Sequence, residues 1–495
     1  MATTQEEVFD NEDNNFSQEN TSTEDLEKAL MVAAADAYWT NDSTENNCVQ
    51  NSSDNEEREK ESETNDEDIM NSKANTSLPR RVSKNLEEDT ESSKSLFQTN
   101  QNNEDEIVKN SSTSLKRNIT QINDDEGSSK KIKISDETRS VEPEGYAKLV
   151  ATHYNQLQEK GVQERNKSRI VYMRNFHNWI KSMLINEYLT NIKASKKYNA
   201  PIRALDMGCG KGGDLLKWKK GNISHLICTD IALVSLDQCK NRYSDMKERS
   251  AKDRNGGNLF SIEYISADCS RLRLREKYSD PSAKLDIVSC QFAFHYSFES
   301  LPQAECMLRN ASECLQAGGY FIGTIPDAYE LVSRAKRNNS NSFGNDVYQV
   351  VFDCDMDKPP LFGAKYNFYL DGVVDCPEFL VYFPMLEKLA KKYGLKLVRK
   401  EKFHEFFNRM KNEGNKLLSN MSSLESYPPF HSSNLVGTSE GDYEHAEEFL
   451  RQQNRNIKIG TLSKSEWEAS SLYLTFAFQK VKNTWNPDGT PCYDI

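Results

Sequence analysis

Leu205-Asp206-Met207-Gly208-Cys209-Gly210-Lys211-Gly212-Gly213 is the stretch that decides the fold. An apolar run from Ile202 to Met207 reads as a strand and ends on the glycines, and Asp214 to Trp218 then begins a helix. Glycines at such a strand-to-helix turn let backbone approach a ligand without a Cβ in the way. Working outward, strands are expected at 225–229, 261–266, 286–290 and 319–324, with helices at 231–246 and 304–315 between them. Strands alternating with helices give an α/β fold whose parallel sheet carries helices on both faces. Upstream, Tyr172 to Leu189 places Tyr172, Phe176, Trp179, Ile180 and Met183 on one broad helical face. Downstream, Leu472, Leu474, Phe476 and Phe478 alternate between Ser471 and Phe478, as in a late strand added to the sheet.

The glycines alone leave two cofactors open. Gly208, Gly210 and Gly213 satisfy the dinucleotide pattern G-x-G-x-x-G, and Asp230 lies where a carboxylate would accept ribose hydroxyls in either case. Three features favour S-adenosylmethionine. Asp206 precedes the glycines and puts an acid near the cofactor's positive end; Asp268 ends the third strand, suited to accept from an adenine amino group; and an alternating strand arrives late. This order resembles the class I, Rossmann-like S-adenosylmethionine-dependent methyltransferase fold.

The 495 residues divide unevenly in charge. Residues 1–140 hold 33 acids and 15 bases, a net of −18, and the remaining 355 hold 43 acids and 48 bases, a net of +5. Residues 1–144 are rich in Asn, Ser, Thr, Glu and Asp, too poor in apolar side chains to offset ordering entropy, and are expected to form a disordered acidic tail. Within it, Leu26 to Trp39 could form a short helix, and Lys116-Arg117 followed after twelve residues by Lys130-Lys131-Ile132-Lys133 has the spacing of a bipartite nuclear import signal. That signal implies a nuclear import receptor as partner and the nucleus as location. Arg80-Arg81-Val82-Ser83 matches a short basophilic kinase pattern of little specificity. The 11 cysteines lack C-x-x-C spacing, which argues against a zinc module or disulfide framework, and no metal is expected. No apolar run approaches the roughly 20 residues of a membrane span, and the first residues have no signal-peptide pattern, so a soluble intracellular protein is expected.

Seven segments carry a family resemblance that bears on the acceptor. ATHYN (151–155), RNFHNWIK (174–181), the glycine stretch extended to Gly221, CTDIA (228–232), CQFAFHYSFES (290–300), PEFLVYFP (377–384) and LSKSEWEASSLYLTFAF (462–478) closely resemble the eukaryotic mRNA cap guanine-N7 methyltransferase family. The resemblance covers about 145–480, so a catalytic domain is expected over 145–495 with an inserted lobe at 416–456. It implies that Lys181 binds the methionine carboxylate, that Gly208, Gly210 and their turn hold the methionine and sulfonium end, and that Asp230 holds the ribose and Asp268 the adenine, with Gln291 and Tyr296 as the far wall. On the cap side it implies His177 and Asn178, the cations Lys211, Lys217 and Arg242 for the triphosphate, and His295, Glu378 and Tyr473 around guanine. His177 stands where Asn is common in the family. Asp206 is open to a second reading, as a structural support of the turn. Methylation of guanine N7 needs no general base, since that nitrogen carries a lone pair and no proton. The expected roles of His295, Tyr296 and Glu378 are therefore positional. The resemblance also implies capped nascent mRNA as substrate and a small activating subunit docked on the inserted lobe, as in vertebrate members, and the tail is expected to recruit the chain to the transcription and capping machinery. The rival readings are a methyltransferase acting on a protein or small molecule, and a non-catalytic cap-binding scaffold.

Overall fold

The computed structural model describes residues 145–157, 164, 166–252, 259–430, 433–453 and 457–482. The tail, its short helix, its import signal and its kinase pattern lie outside the described residues.

The chain enters with α1 (Tyr146–Gln156) and α2 (Val171–Ser195). It then alternates through β1 (Arg203–Met207), α3 (Leu215–Lys220), β2 (His225–Asp230), α4 (Leu233–Lys252), β3 (Ser261–Ser266), β4 (Leu285–Gln291), α5 (Leu301–Ser312), β5 (Leu315–Pro326) and α6 (Ala328–Arg337). Next come β6 (Ser342–Gly344), β7 (Tyr348–Phe352), β8 (Lys365–Leu370), β9 (Val374–Phe379), α7 (Phe383–Lys392), β10 (Leu395–Lys402) and α8 (Phe403–Asn420). The chain closes with β11 (Glu425–Tyr427), α9 (Glu444–Gln453), β12 (Ile459–Thr461), α10 (Lys464–Ser470) and β13 (Tyr473–Lys480).

The main sheet has the order β10-β13-β5-β4-β1-β2-β3. Strands β3, β2, β1, β4 and β5 run parallel, and β13 inserts antiparallel between β5 and β10. The chain order reverses between β1 and β4, so the crevice beyond their carboxyl ends is where such a sheet takes its ligand. One face of the sheet packs on α2 through Phe176, Trp179, Ile180 and Met183, and the other packs under α5 and α7 through Ala304, Leu308 and Leu386.

The differences from the sequence reading have physical reasons. Helix α2 is six residues longer than expected at its C-terminal end, and it is buried on more than one face because α8 and α10 pack on it as well as the sheet. Met173 and His177 are therefore buried, whereas Tyr172 is only half-buried. Strand β13 is covered on both faces, so its alternation does not separate inside from outside. A second, four-stranded antiparallel sheet, β6-β7-β8-β9, was not anticipated. The expected lobe boundary at 416 falls within α8, which continues to Asn420. The segment beyond it has a small core of its own, Tyr443, Ala446 and Ile459, beneath the β11–β12 pair. No described helix is long and apolar enough to cross a membrane.

Candidate active site

A cavity of about 800 Å³ opens at the carboxyl ends of β1 and β4. Its floor is the glycine turn. Gly208 (φ +70°) and Gly210 (φ +51°) occupy the left-handed region, which costs an L side chain roughly 1–2 kcal/mol. A Cβ on Gly208 would also stand 2.7 Å from the Cβ of Ala293. The turn is tied down from β2. The Gly208 and Cys209 N–H groups donate to the Thr229 carbonyl at 2.8 and 3.0 Å, and Gly210 N–H donates to Asp230 Oδ2 at 2.7 Å. The other Asp230 oxygen accepts from Ala232 N–H at 2.8 Å, and burial lifts this carboxyl to about 6.

Asp206 does not line this cavity. Its carboxylate is buried behind the turn and accepts from Trp218 Nε1–H at 3.0 Å. Burial, reinforced by the neighbouring Asp214 charge, raises it to about 7. The expectation that Asp206 meets the cofactor's positive end is thereby corrected; it braces β1 against α3.

The acid at the floor is Asp214, which the sequence reading passed over. Its Oδ1 lies 2.9 Å from Lys181 Nζ and 2.8 Å from Lys217 Nζ. Burial alone would raise this carboxyl, but the two ammonium groups outweigh it and hold it well below the usual carboxylate range. Lys217 is half-buried, donates also to Asn178 Oδ1 and to the Gly213 carbonyl, and is not a cavity wall. It was expected as a free cation for phosphate. Its charge is instead spent on Asp214 and its geometry on Asn178. An i,i+3 acid–lysine pair on α3 was the signal that could have found this.

Asp268 lines the cavity with Oδ1 accepting from Ser270 N–H (2.9 Å) and Ser270 Oγ–H (2.6 Å), and Arg271 Nε lies 3.5 Å from its other oxygen. Gln291 ends β4, and its amide donates to Ser289 Oγ at 3.0 Å while its Oε1 is buried without a hydrogen-bond partner. Lys211 and Arg242 also line the cavity, the former donating to the Leu157 carbonyl at 3.1 Å.

The opposite wall comes from the small sheet. Glu378 on β9 pairs across the ladder with Tyr366 on β8, whose hydroxyl donates to Glu378 Oε2 at 2.7 Å. The other oxygen is 3.2 Å from His295 Nε2 and 3.5 Å from the Tyr296 hydroxyl, which in turn is 3.2 Å from the Tyr154 hydroxyl. Glu378 and His295 are buried, and His295 Nδ1 has no hydrogen-bond partner. Polar atoms left unpaired at a cavity wall are suited to a polar ligand.

His177 faces the cavity too, but its Nε2 is 3.0 Å from Ser470 Oγ, and its ring stacks on Phe292 and meets Tyr473 and Phe403 edge-on. Burial lowers it to about 3, so it is neutral. It backs the wall through its ring, and Tyr473 joins the same aromatic group. Phe292 has φ +58° and is anchored by Thr324, whose carbonyl and hydroxyl oxygens both accept from its N–H. Nothing in the sequence marked that position.

The turn, Asp230, Asp268 and the unpaired Gln291 oxygen together fit S-adenosylmethionine. Comparison with known proteins agrees. Residues 137–481 match the family model for the mRNA (guanine-N(7))-methyltransferase domain. The chain is 52% identical over 361 residues to the mRNA cap guanine-N(7) methyltransferase of Drosophila melanogaster, covering 72% of this chain and 83% of that protein. It is 40% identical to the Caenorhabditis elegans enzyme of the same name (68% and 87% covered) and 35% identical to that of Schizosaccharomyces pombe (67% and 82% covered). The chain therefore belongs to the mRNA cap guanine-N7 methyltransferase family: it is an enzyme that carries a methyl group from S-adenosylmethionine to N7 of the guanine capping mRNA.

Proposed function

We propose that the two ends of the one cavity divide the work between donor and acceptor. Lys181 and the Gly208–Gly210 turn take the amino-acid end of the cofactor. Asp230 takes the ribose, Asp268 the adenine edge, and Gln291 and Tyr296 close the far wall. Lys211 and Arg242 face the cap triphosphate, while His295, Glu378 and Tyr473 receive guanine. Asn178, held by Lys217, and His177 support that side from α2. The observation that carries this reading is the position of Glu378: a buried carboxylate, fixed by Tyr366, on the wall facing the glycine turn.

Bound S-adenosylmethionine supplies a methyl group on a sulfonium, which leaves as a neutral thioether. The chain's own task is alignment at about 3–3.5 Å and exclusion of water. Guanine offers two N–H donors on one edge, and the Glu378 carboxylate can accept both. Its charge grows more favourable as the ring turns cationic on methylation, so part of its effect falls on the rate. Tyr366 and Tyr296 keep the carboxylate turned toward the cavity. No proton has to be removed from the reacting nitrogen.

The same reading assigns residues 1–144 to targeting, with the clusters at 116–117 and 130–133 read by an import receptor and the protein acting in the nucleus. It assigns the segment beyond α8 to docking of a small activating subunit, and the tail to recruitment by the capping machinery. The test is methylation of GpppA-capped RNA by purified protein, with GTP as a competing substrate and a 145–495 form in parallel. Product at N7 with strong preference for capped RNA, kept in the shortened form, is expected. Equal use of free GTP would refute the cap subsite, and loss of chemistry on shortening would refute the domain split.

A further inference from the structure

Folding gathers three cysteines that the sequence keeps apart. Cys209 sits between Gly208 and Gly210 in the turn, Cys228 lies on β2 opposite Asp206 of β1, and Cys239 lies on α4. All three are buried free thiols, and their sulfur atoms lie within 4.8 Å of one another. Among the described residues this is the one convergence of His, Cys, Asp or Glu ligand atoms of its kind. None of the three has a role in the alignment chemistry above.

The cluster lies directly under the cofactor floor. A Cβ on Gly212 would stand 2.8 Å from Cys239 Sγ, and Cys209 Sγ is 3.6 Å from the Gly210 carbonyl. Cys209 also lines the cavity, whereas Cys228 and Cys239 sit behind it. Helix α4 carries Ser235 and Arg242, both on the cavity wall, within one turn of Cys239 on either side.

We propose that Cys209, Cys228 and Cys239 form a three-thiolate site for a soft divalent cation of the Zn²⁺ type, and that filling it opposes cofactor binding. Thiolates bind Zn²⁺ at about 2.3 Å, which in a trigonal set puts the sulfurs about 4 Å apart, so closing on the ion asks each pair to contract by no more than about 0.8 Å. Three thiol protons pass to solvent as three Zn–S bonds form, and no electrons are exchanged. Soft sulfur ligands with no hard oxygen in the set select such ions over Mg²⁺ or Ca²⁺. The contraction falls on Cys209, because Cys228 is fixed in a ladder and Cys239 in a helix. Drawing Cys209 toward Cys228 and Cys239 shifts the turn on which the N–H groups of Gly208 and Gly210 are held by Thr229 and Asp230. The ion and S-adenosylmethionine therefore compete through one turn, in both directions. This rests on the turn being the cofactor's seat.

Calorimetry of S-adenosylmethionine binding to the full metal-free chain tests that seat by itself. The thiol site is tested by Zn²⁺ titration against a chromophoric chelator and by Co²⁺, whose thiolate complexes absorb in the near ultraviolet. One equivalent of Zn²⁺, a Co²⁺–thiolate band and at least a tenfold weaker cofactor Kd with zinc are expected. Cys239→Ala is expected to keep the zinc-free cofactor Kd, to bind Zn²⁺ at least tenfold more weakly and to lose the zinc effect, while Cys306→Ala, outside the cluster, behaves as the parent. Unchanged Zn²⁺ affinity in Cys239→Ala, or a parent chain without the Co²⁺ band, would overturn the site. If Cys239→Ala does not fold, Cys228→Ala and the parent Co²⁺ spectrum give the same decision. Cofactor binding that fails without zinc would instead count against the seat.

Discussion

Replacing Asp214 with Asn leaves the shape of α3 intact and removes one charge from between two lysines. Lys181 and Lys217 reach the same carboxylate oxygen at 2.9 and 2.8 Å. Their nitrogens can then be no more than about 5.7 Å apart, and at an effective dielectric near 20 their mutual repulsion is at least about 3 kcal/mol. In the parent protein the carboxylate more than offsets this. In Asp214→Asn nothing does, and removing one partner of a buried ion pair costs about 3–5 kcal/mol. The expected loss of unfolding free energy is therefore about 3 kcal/mol, read from urea denaturation at pH 7. Because the pair is shielded from solvent, 0.5 M salt should change the difference little. A second substitution separates this account from a generic packing defect: Asp214→Asn/Lys217→Met has only one ammonium left and is expected to regain part of the lost stability. A single variant within 1 kcal/mol of the parent, or a double variant whose losses simply add, would refute the reasoning. Methylation should fall by at least tenfold in the single variant, since Lys217 is also what orients Asn178.

Glu378→Gln keeps the Tyr366 contact but turns one acceptor into a donor facing guanine and removes the charge; kcat/KM on capped RNA is expected to fall about 10²–10³-fold, against less than threefold for Cys306→Ser. Gly208→Ala is expected to abolish measurable cofactor binding by calorimetry and to lower the melting temperature by a few degrees, since a left-handed alanine costs about 1–2 kcal/mol and its Cβ meets Ala293. His177 gives a pH signature. Its folded value near 3 lies below the ordinary 6.5, so below pH 6.5 the unfolded chain takes up the proton first and stability falls as pH falls, by up to about 1.4 kcal/mol per unit. His177→Asn should flatten the melting-temperature profile between pH 6.5 and 4; an unchanged slope would show that the ring is not held neutral.

The donor half of the site was legible because its determinants are local. Positive-φ glycines, a strand before them and an acid ending the next strand all sit within a few dozen residues, and the observed β1 to β5 keep the expected order. The acceptor half depends on pairings far apart in sequence. Glu378 could be recognised as a carboxylate in an apolar stretch, but its partner Tyr366 is fixed by the β8–β9 register, and His295 reaches it from the 3-10 turn Phe294–Glu299 after β4. In β8 the buried side chains Tyr366, Phe368 and Leu370 alternate with more exposed ones, a period that the sequence reading passed over, and strand β6, with three residues, is too short to show any period. Lys217 and Asp206 were misplaced for a shared reason. Sequence spacing brings a charge to the neighbourhood of a turn, whereas burial decides which side of the turn it faces.

Glu378 hangs from a sheet that shares no strand with the one carrying the glycine turn. Donor and acceptor are thus mounted on two separate frames, and in-line transfer has to be registered across the seam between them. The contacts that cross it at the site include His295 to Glu378, Tyr154 through Tyr296 to Glu378, and the ring of Phe368 against Tyr473. These side chains work as dowels. Their stiffness, more than that of either frame, sets how far methyl and nitrogen drift out of line, so wear at the seam would show as lost turnover in an enzyme that still binds both ligands.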